Sequence, residues 1–241
     1  MNTAPQSIAT FLDKWHARWP EWSVAMVFVP SVQRELATAW FALRNELTEA
    51  AWAGQDSRPG EAKLAWWSEE LQGWDQGRRR HPLGIVLQRH AVPWTSLAAS
   101  LPALLGSRER AMDAAEAIAI LEPFAEGVAG ISASLFTGAS TPAPARSVVI
   151  GLLAERVLLG GNAVPLEVLA SQLGQAPHAA ARAWARELLE RWPPPHEGAI
   201  PGRIHAALVR ERLRRYIAGH APARPIPHWR ALFTAWRAAR S

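Results

Sequence analysis

The chain has 241 residues, no cysteine and a net charge of +5, carried almost wholly by arginine because Lys14 and Lys63 are its only lysines. That length can bury a sizeable core, as one all-helical domain or two small ones. The lack of cysteine excludes disulfides, thiol catalysis and thiolate metal sites.

Apolar residues make up 49% of the sequence and are mostly Ala and Leu, against six Phe and one Tyr, which favours helix over sheet. Nine of the 13 Trp precede residue 95, a clustering that means helix packing or a large apolar ligand cavity. In chain order, residues 6–19 predict a first helix with Ile8, Phe11, Leu12 and Trp15 on one side, stopping at Pro20. VAMVFVP (24–30) has strand-like composition but no partner strand anywhere, and reads as a buried lead-in. Ser31 is the expected N-cap of a helix to about Trp52, whose buried stripe is Val32, Leu36, Trp40, Leu43 and Leu47. After the loop AGQDSRPG, a second amphipathic helix to about Trp74 lines up Leu64, Trp67 and Leu71.

GRRRHPLG (77–84) reads as a basic turn leading into a helix to about His90, and Pro93 and Pro102 as brackets around a short helix. Residues 108–137 predict a long helix bent at Pro123, and TGASTPAPA (137–145) a strong break. A helix from Arg146 to Leu159 closed by Gly160-Gly161, shorter helices at 165–173 and 176–192, a stiff PPP at 193–195, and basic helices at 200–218 and 227–240 complete the chain. The expected fold is all-α: one domain over 1–241, with 1–24 an N-terminal helix and lead-in and 200–241 a basic C-terminal pair.

From Arg203 onward there are nine arginines and a single acid, Glu211. Such a patch suits anionic lipid, nucleic acid or an acidic partner, although a solvated helix face explains it too. In the last helix Trp229, Leu232, Phe233 and Trp236 form an apolar face beside Arg230, Arg237 and Arg240, a pattern shared by membrane-surface helices and helices docked on a core. No nucleic-acid module accompanies the arginines. The scattered histidines give no H-E-x-x-H pair, and there is no Gly-rich phosphate loop or G-x-S-x-G elbow, so zinc, nucleotide and serine-hydrolase chemistry lack support. The N-terminus lacks a secretory pattern, and no apolar run approaches the roughly 18–20 residues that span a bilayer. The expected address is the bacterial cytoplasm, peripheral at the inner membrane if the basic helices bind there.

The order of several landmarks resembles the squalene/phytoene synthase family of trans-isoprenoid synthases. FALRNELTEA sits where the family carries its first aspartate-rich motif, GEAKLAWWSEEL looks like the following helix, and HPLGIVL like the segment after it. RERAMDAAEAI followed by FAEGVAGISASLF is similar to the family's middle block, with literal matches at Met112, Asp113, Val128, Ala129 and Gly130. The resemblance covers roughly residues 25–240. It implies a helical bundle around a central cavity for two prenyl diphosphates, with facing aspartate-rich motifs holding Mg²⁺, a hard ion that takes oxygen ligands.

Both motifs are missing here. The first is reduced to Asn45-Glu46-Leu47-Thr48-Glu49, and the helix 146–160 offers Glu155 alone. By helical angle Glu46 is expected to border the cavity and Glu49 to lie in solvent. Some relatives of this fold act without chemistry, notably a mitochondrial complex I assembly factor, and the wording around Arg44-Asn45-Glu46-Leu47 is similar to that branch. The resemblance thus implies a non-catalytic protein that binds an isoprenoid or lipid, or serves a protein partner in assembly, with no cofactor and no nucleic acid. Its candidate cavity residues are Arg44, Glu46, Glu49, Lys63, Trp67, Glu70, Gly130 and Glu155; Lys63 and Glu70 alternatively make a local ion pair, and Arg78, Arg79 and Arg80 either bind a phosphate group or form a solvated turn. The competing expectation is an active prenyltransferase with Mg²⁺ on Glu46, Glu49 and Glu155, which requires Glu46 and Glu155 to converge across one cavity.

Overall fold

The computed structural model describes residues 7–136, 143–159, 164–176, 178–194 and 198–240, and the described residues form twelve α-helices and two short 3₁₀ turns with no strand. The helices are α1 (Ile8–Arg18), α2 (Glu21–Ala25), α3 (Arg34–Trp52), α4 (Arg58–Asp75), α5 (Gly84–Leu87), α6 (Trp94–Gly106), α7 (Ala114–Leu135), α8 (Ala145–Leu159), α9 (Leu166–Ser171), α10 (Ala179–Glu190), α11 (Ile200–Ile217) and α12 (His228–Arg240). The all-α expectation holds. The expected closing glycines at 160–161, the break from 137 to 142 and the third residue of the PPP run lie outside the described residues.

The centre of the fold is α3, with fourteen of its nineteen residues buried. It therefore has no solvated face, unlike the one-stripe helix its periodicity suggests. Its start also differs: Ser31–Gln33 is a 3₁₀ turn, Gln33 is the cap, and Val32 is exposed rather than part of the stripe. α1 and α4 pack on α3, and α4, α6, α7 and α8 follow one another as packed neighbours. α8 then packs on α11, α11 on α10 and α12, and α12 returns to α2. Buried side chains from Phe11 to Ala238 make one contiguous cluster.

Three of the indole nitrogens find hydroxyl partners on other elements: Trp22 donates to Thr38 Oγ1, Trp40 to Ser132 Oγ and Trp52 to Ser107 Oγ, at 3.0, 3.0 and 2.9 Å, while those of Trp15, Trp19, Trp67, Trp94 and Trp184 are buried without a partner among the described residues. Each such bond lets a large apolar ring be buried without leaving its N–H unsatisfied. Packing is thus the main use of the tryptophans.

Two helix limits depart from expectation. Pro102 does not end α6; it stands inside the helix, exposed, near its last turn. The long helix starts at Ala114 because Asp113 caps it, accepting from Glu116 N–H at 2.8 Å while Glu116 reaches back to Met112 N–H at 2.5 Å. α7 also has the length and mean hydropathy of a bilayer-crossing helix, although Glu116, Glu122 and Glu126 interrupt its apolar sequence. It packs between α6 and α8, burying Leu121, Phe124, Val128 and Ile131.

Candidate functional site

α3, α7, α8 and α11 leave an open-mouthed cleft between them. Its walls are Trp40, Phe41, Val128, Phe136, Val148 and Trp192, with small residues such as Gly151, Gly202 and Ala206 giving it depth. The enclosed space is about 100 Å³, and about 970 Å³ when the region open to solvent is counted. Small-molecule sites commonly run to about 300–1,000 Å³, so only an occupant that also uses the mouth would fit.

Three largely buried polar groups meet at one place in this cleft. Arg44 from α3, Glu155 from α8 and His205 from α11 all line the cleft. Arg44 Nη2 lies 3.4 Å from Glu155 Oε1, and His205 Nδ1 lies 3.9 Å from the same oxygen. Glu155 and His205 are 6% and 4% exposed. Burial pushes the Glu155 carboxyl up, opposed by Arg44, Arg18 and Arg212. Burial also holds His205 well below the usual histidine range, and the same three arginines push in that direction, so the imidazole is neutral at pH 7. Its ring stacks on Phe41 at 4.7 Å and meets Trp19 edge-on at 5.1 Å.

Two atoms of this group are unsatisfied. Arg44 Nε and His205 Nε2 are buried without a hydrogen-bond partner among the described residues, as is Nε of Arg210, which also lines the cleft. An unpaired buried donor or acceptor costs about 1–3 kcal/mol. Ten other buried side-chain atoms among the described residues share this condition, five of them indole nitrogens, so it does not by itself mark the cleft as a site. With Arg203 also in the wall, the lining holds three arginines, Arg44, Arg203 and Arg210, against the single carboxylate Glu155. The electrostatics of the site therefore suit an anion.

Glu46 stands elsewhere. It lines a surface groove with Thr10, Phe11, Lys14, Lys63, Trp66, Trp67 and His81, and Glu155 is not in that groove. Both lysines of the chain converge on it: Lys14 Nζ reaches Oε1 at 2.7 Å and Lys63 Nζ reaches Oε2 at 2.8 Å. Burial alone would raise the Glu46 carboxyl, but the two ammonium groups hold it below its ordinary value. Glu49, expected in solvent, is half-buried and pairs with Lys14 at 2.6 Å.

The remaining candidates lie outside the cleft. Lys63 and Glu70 do not pair. Glu70 is buried and accepts from Trp74 Nε1, Arg80 N, Arg80 Nε and His81 N at 2.8, 2.7, 3.1 and 2.7 Å, which ties the basic turn to α4. Arg80 is thereby committed to Glu70 and stacks over Trp66 at 5.2 Å. Trp67 is fully buried against Trp74 and His81. Gly130 is exposed and does not line the cleft, and a methyl group added there would meet nothing; Val128 and Ala129 of the same triplet do line it.

The arrangement does not fit Mg²⁺. Both oxygens of Glu46 are taken by ammonium groups, Glu155 is paired with arginine in a different cavity, and no three potential ligands cluster among the described residues. His205, Arg203 and Arg210 were not among the expected site residues. The signal was partial: 203, 206, 207 and 210 fall on one face of a helix, whereas His205 lies well off that face by helical angle. No protein-family model matches the chain, and no curated protein matches it.

Proposed function

We propose that the protein binds one elongated apolar molecule with an anionic head, such as an isoprenoid or other lipid phosphate or carboxylate, and performs no metal-dependent condensation on it. The observation that carries this reading is a largely apolar cleft whose wall holds three arginines, Arg44, Arg203 and Arg210, against one carboxylate, Glu155. A head group on the arginines would meet charge-assisted donors, and the tail would lie on Trp40, Phe41, Val148 and Trp192. The small enclosed volume favours one chain over two.

This reading keeps the resemblance to the squalene/phytoene synthase family as a proposal, in its non-catalytic form. What supports it is the all-helical architecture and a cleft placed between the helices that carry NELTE and Glu155. Against the active prenyltransferase stand the separation of Glu46 from Glu155 into different cavities and the lysines on Glu46.

Calorimetric titration of farnesyl phosphate, with and without Mg²⁺, tests the proposal. Gly202→Trp is the blocking variant, because the position lines the cleft and a Cβ added there meets no atom within 4 Å, leaving the indole to fill the cleft. Binding is expected without Mg²⁺, and weaker by at least about tenfold in Gly202→Trp and in Arg210→Gln. Binding that is unchanged in both variants removes the cleft from the account. Binding that appears only with Mg²⁺ restores the enzyme.

A further inference from the structure

α12 presents two unlike faces. Ala231, Ala235 and Ala238 are buried and set the helix against α11 and α2. The apolar face made by its large side chains points the other way: Trp229 is 66% exposed, Phe233 56%, Trp236 41% and Leu232 38%. Core docking therefore accounts for the alanines and leaves the aromatic stripe unexplained. These four positions follow the i, i+3, i+4, i+7 spacing of one continuous ridge. The 3₁₀ turn Met26–Phe28, against which α12 packs, adds exposed Val27.

Arginines border the ridge. The guanidinium groups of Arg230, Arg237 and Arg240 lie 5.0, 6.0 and 5.1 Å from the ring centres of Trp229, Phe233 and Trp236. Arg230 also approaches Glu211 at 3.6 Å, while Arg237 and Arg240 have no carboxylate in ion-pair reach among the described residues. α12 itself contains no acid. A second copy docking here through the same face would set these arginines against one another. A convex ridge also lacks the groove in which a single nucleic-acid strand is tracked. An anionic bilayer surface matches both properties, because indoles and phenyl rings settle at headgroup level while arginines meet lipid phosphates.

We propose that α12 docks the protein on anionic lipid membranes. The helix lies in the plane of the surface with Trp229, Leu232, Phe233 and Trp236 inserted, and Arg237 and Arg240 on headgroup phosphates. The position of the cleft gives this orientation a use. Arg203 lines the cleft and donates to the carbonyls of Ala238 and Ala239 at 3.0 and 3.2 Å, so a cleft wall stands one side chain from the membrane-facing helix. The docking face itself does not depend on what the cleft holds.

The test is co-sedimentation of the full chain with phosphatidylcholine vesicles containing or lacking phosphatidylglycerol. Wild-type protein is expected to sediment with the anionic vesicles. The Arg237→Gln/Arg240→Gln variant should bind more weakly, by about fivefold per arginine at low salt. Trp229→Ser/Phe233→Ser/Trp236→Ser should lose at least about tenfold while keeping its circular dichroism and melting temperature, since these side chains are exposed. Gly202→Trp should bind vesicles as wild type does, which keeps failure of the cleft reading apart from failure of this one. Wild-type protein left in the supernatant, equal binding by the triple variant, or equal affinity for uncharged vesicles overturns the proposal. So does a wild-type dimer that the triple variant converts to monomer without any change in vesicle binding.

Discussion

His81 shows how a single side chain can be fixed by its surroundings. It is buried between Phe11, Trp66 and Trp67, and its Nδ1 accepts the Leu83 N–H at 3.1 Å, which places its proton on Nε2. Burial lowers its pKa to about 4; Glu46 and Glu70 oppose that shift and Lys63 reinforces it. The folded state thus keeps His81 neutral where the unfolded chain, with a pKa near 6.5, takes up a proton. Stability is complete above about pH 6.5 and falls as pH drops toward the folded value. Between pH 6.5 and 5, before carboxylates titrate, the loss from this residue should reach about 2 kcal/mol. Buried His205, shifted the same way, adds to the slope. His81→Asn retains an acceptor for Leu83 N–H and removes the titration. Urea midpoints at about pH 6.5, 5.8 and 5.0, across the window between the unfolded and folded values, should therefore show a shallower fall than wild type. An unchanged slope would assign the acid sensitivity elsewhere.

At the level of elements, the helices were largely legible in the sequence, and the reasons for the exceptions are physical. Apolar spacing, prolines and capping residues placed most helix limits within a few residues. Periodicity could not show that α3 is buried on every side, because its solvent-like positions are filled by Thr38, Asn45 and Thr48, which tertiary contacts cover. Nor could it pair Glu46 with Lys14 and Lys63, since those partners come from two other helices. The Met112-Asp113 step, read as part of a family block, has a local explanation in the cap of α7. Asp113→Ala should therefore cost about 1 kcal/mol of stability, while Asp113→Asn or Asp113→Ser should recover most of it. Chemical denaturation of the three variants decides the matter; a loss in ligand binding without a loss in stability would point to a site role instead. The site was less legible than the helices. Arg44 and Glu155, both expected at a cavity, line the cleft, but their histidine and arginine neighbours on α11 lie some 50 residues beyond Glu155 and looked like a solvated basic face.

Across the whole molecule, the N-terminal and C-terminal ends are joined by a buried ion pair. Glu21 on α2 accepts from Arg212 Nε on α11 at 2.9 Å and from Ile226 N, just before α12, at 2.6 Å. Arg212 also lies 4.0 Å over the Trp19 ring, so its charge is held between a carboxylate and an indole. With both side chains almost fully buried, the net value of the pair against apolar substitutes is small, because desolvation offsets the Coulomb attraction. Breaking it is another matter. Glu21→Gln leaves Arg212 buried beside Arg18, Arg44 and Glu155 with no carboxylate of its own, and should cost about 3–5 kcal/mol. The double variant Glu21→Gln/Arg212→Met removes the stranded charge and should recover a large part of that loss, giving a strong coupling in a double-mutant cycle. Because Arg212 contributes to the field that keeps His205 neutral, the double variant should also raise the His205 pKa, readable by NMR titration of the imidazole. If the two single losses simply add and the histidine does not move, the ends of the chain fold independently of each other, and the cleft is held by α3, α7, α8 and α11 alone.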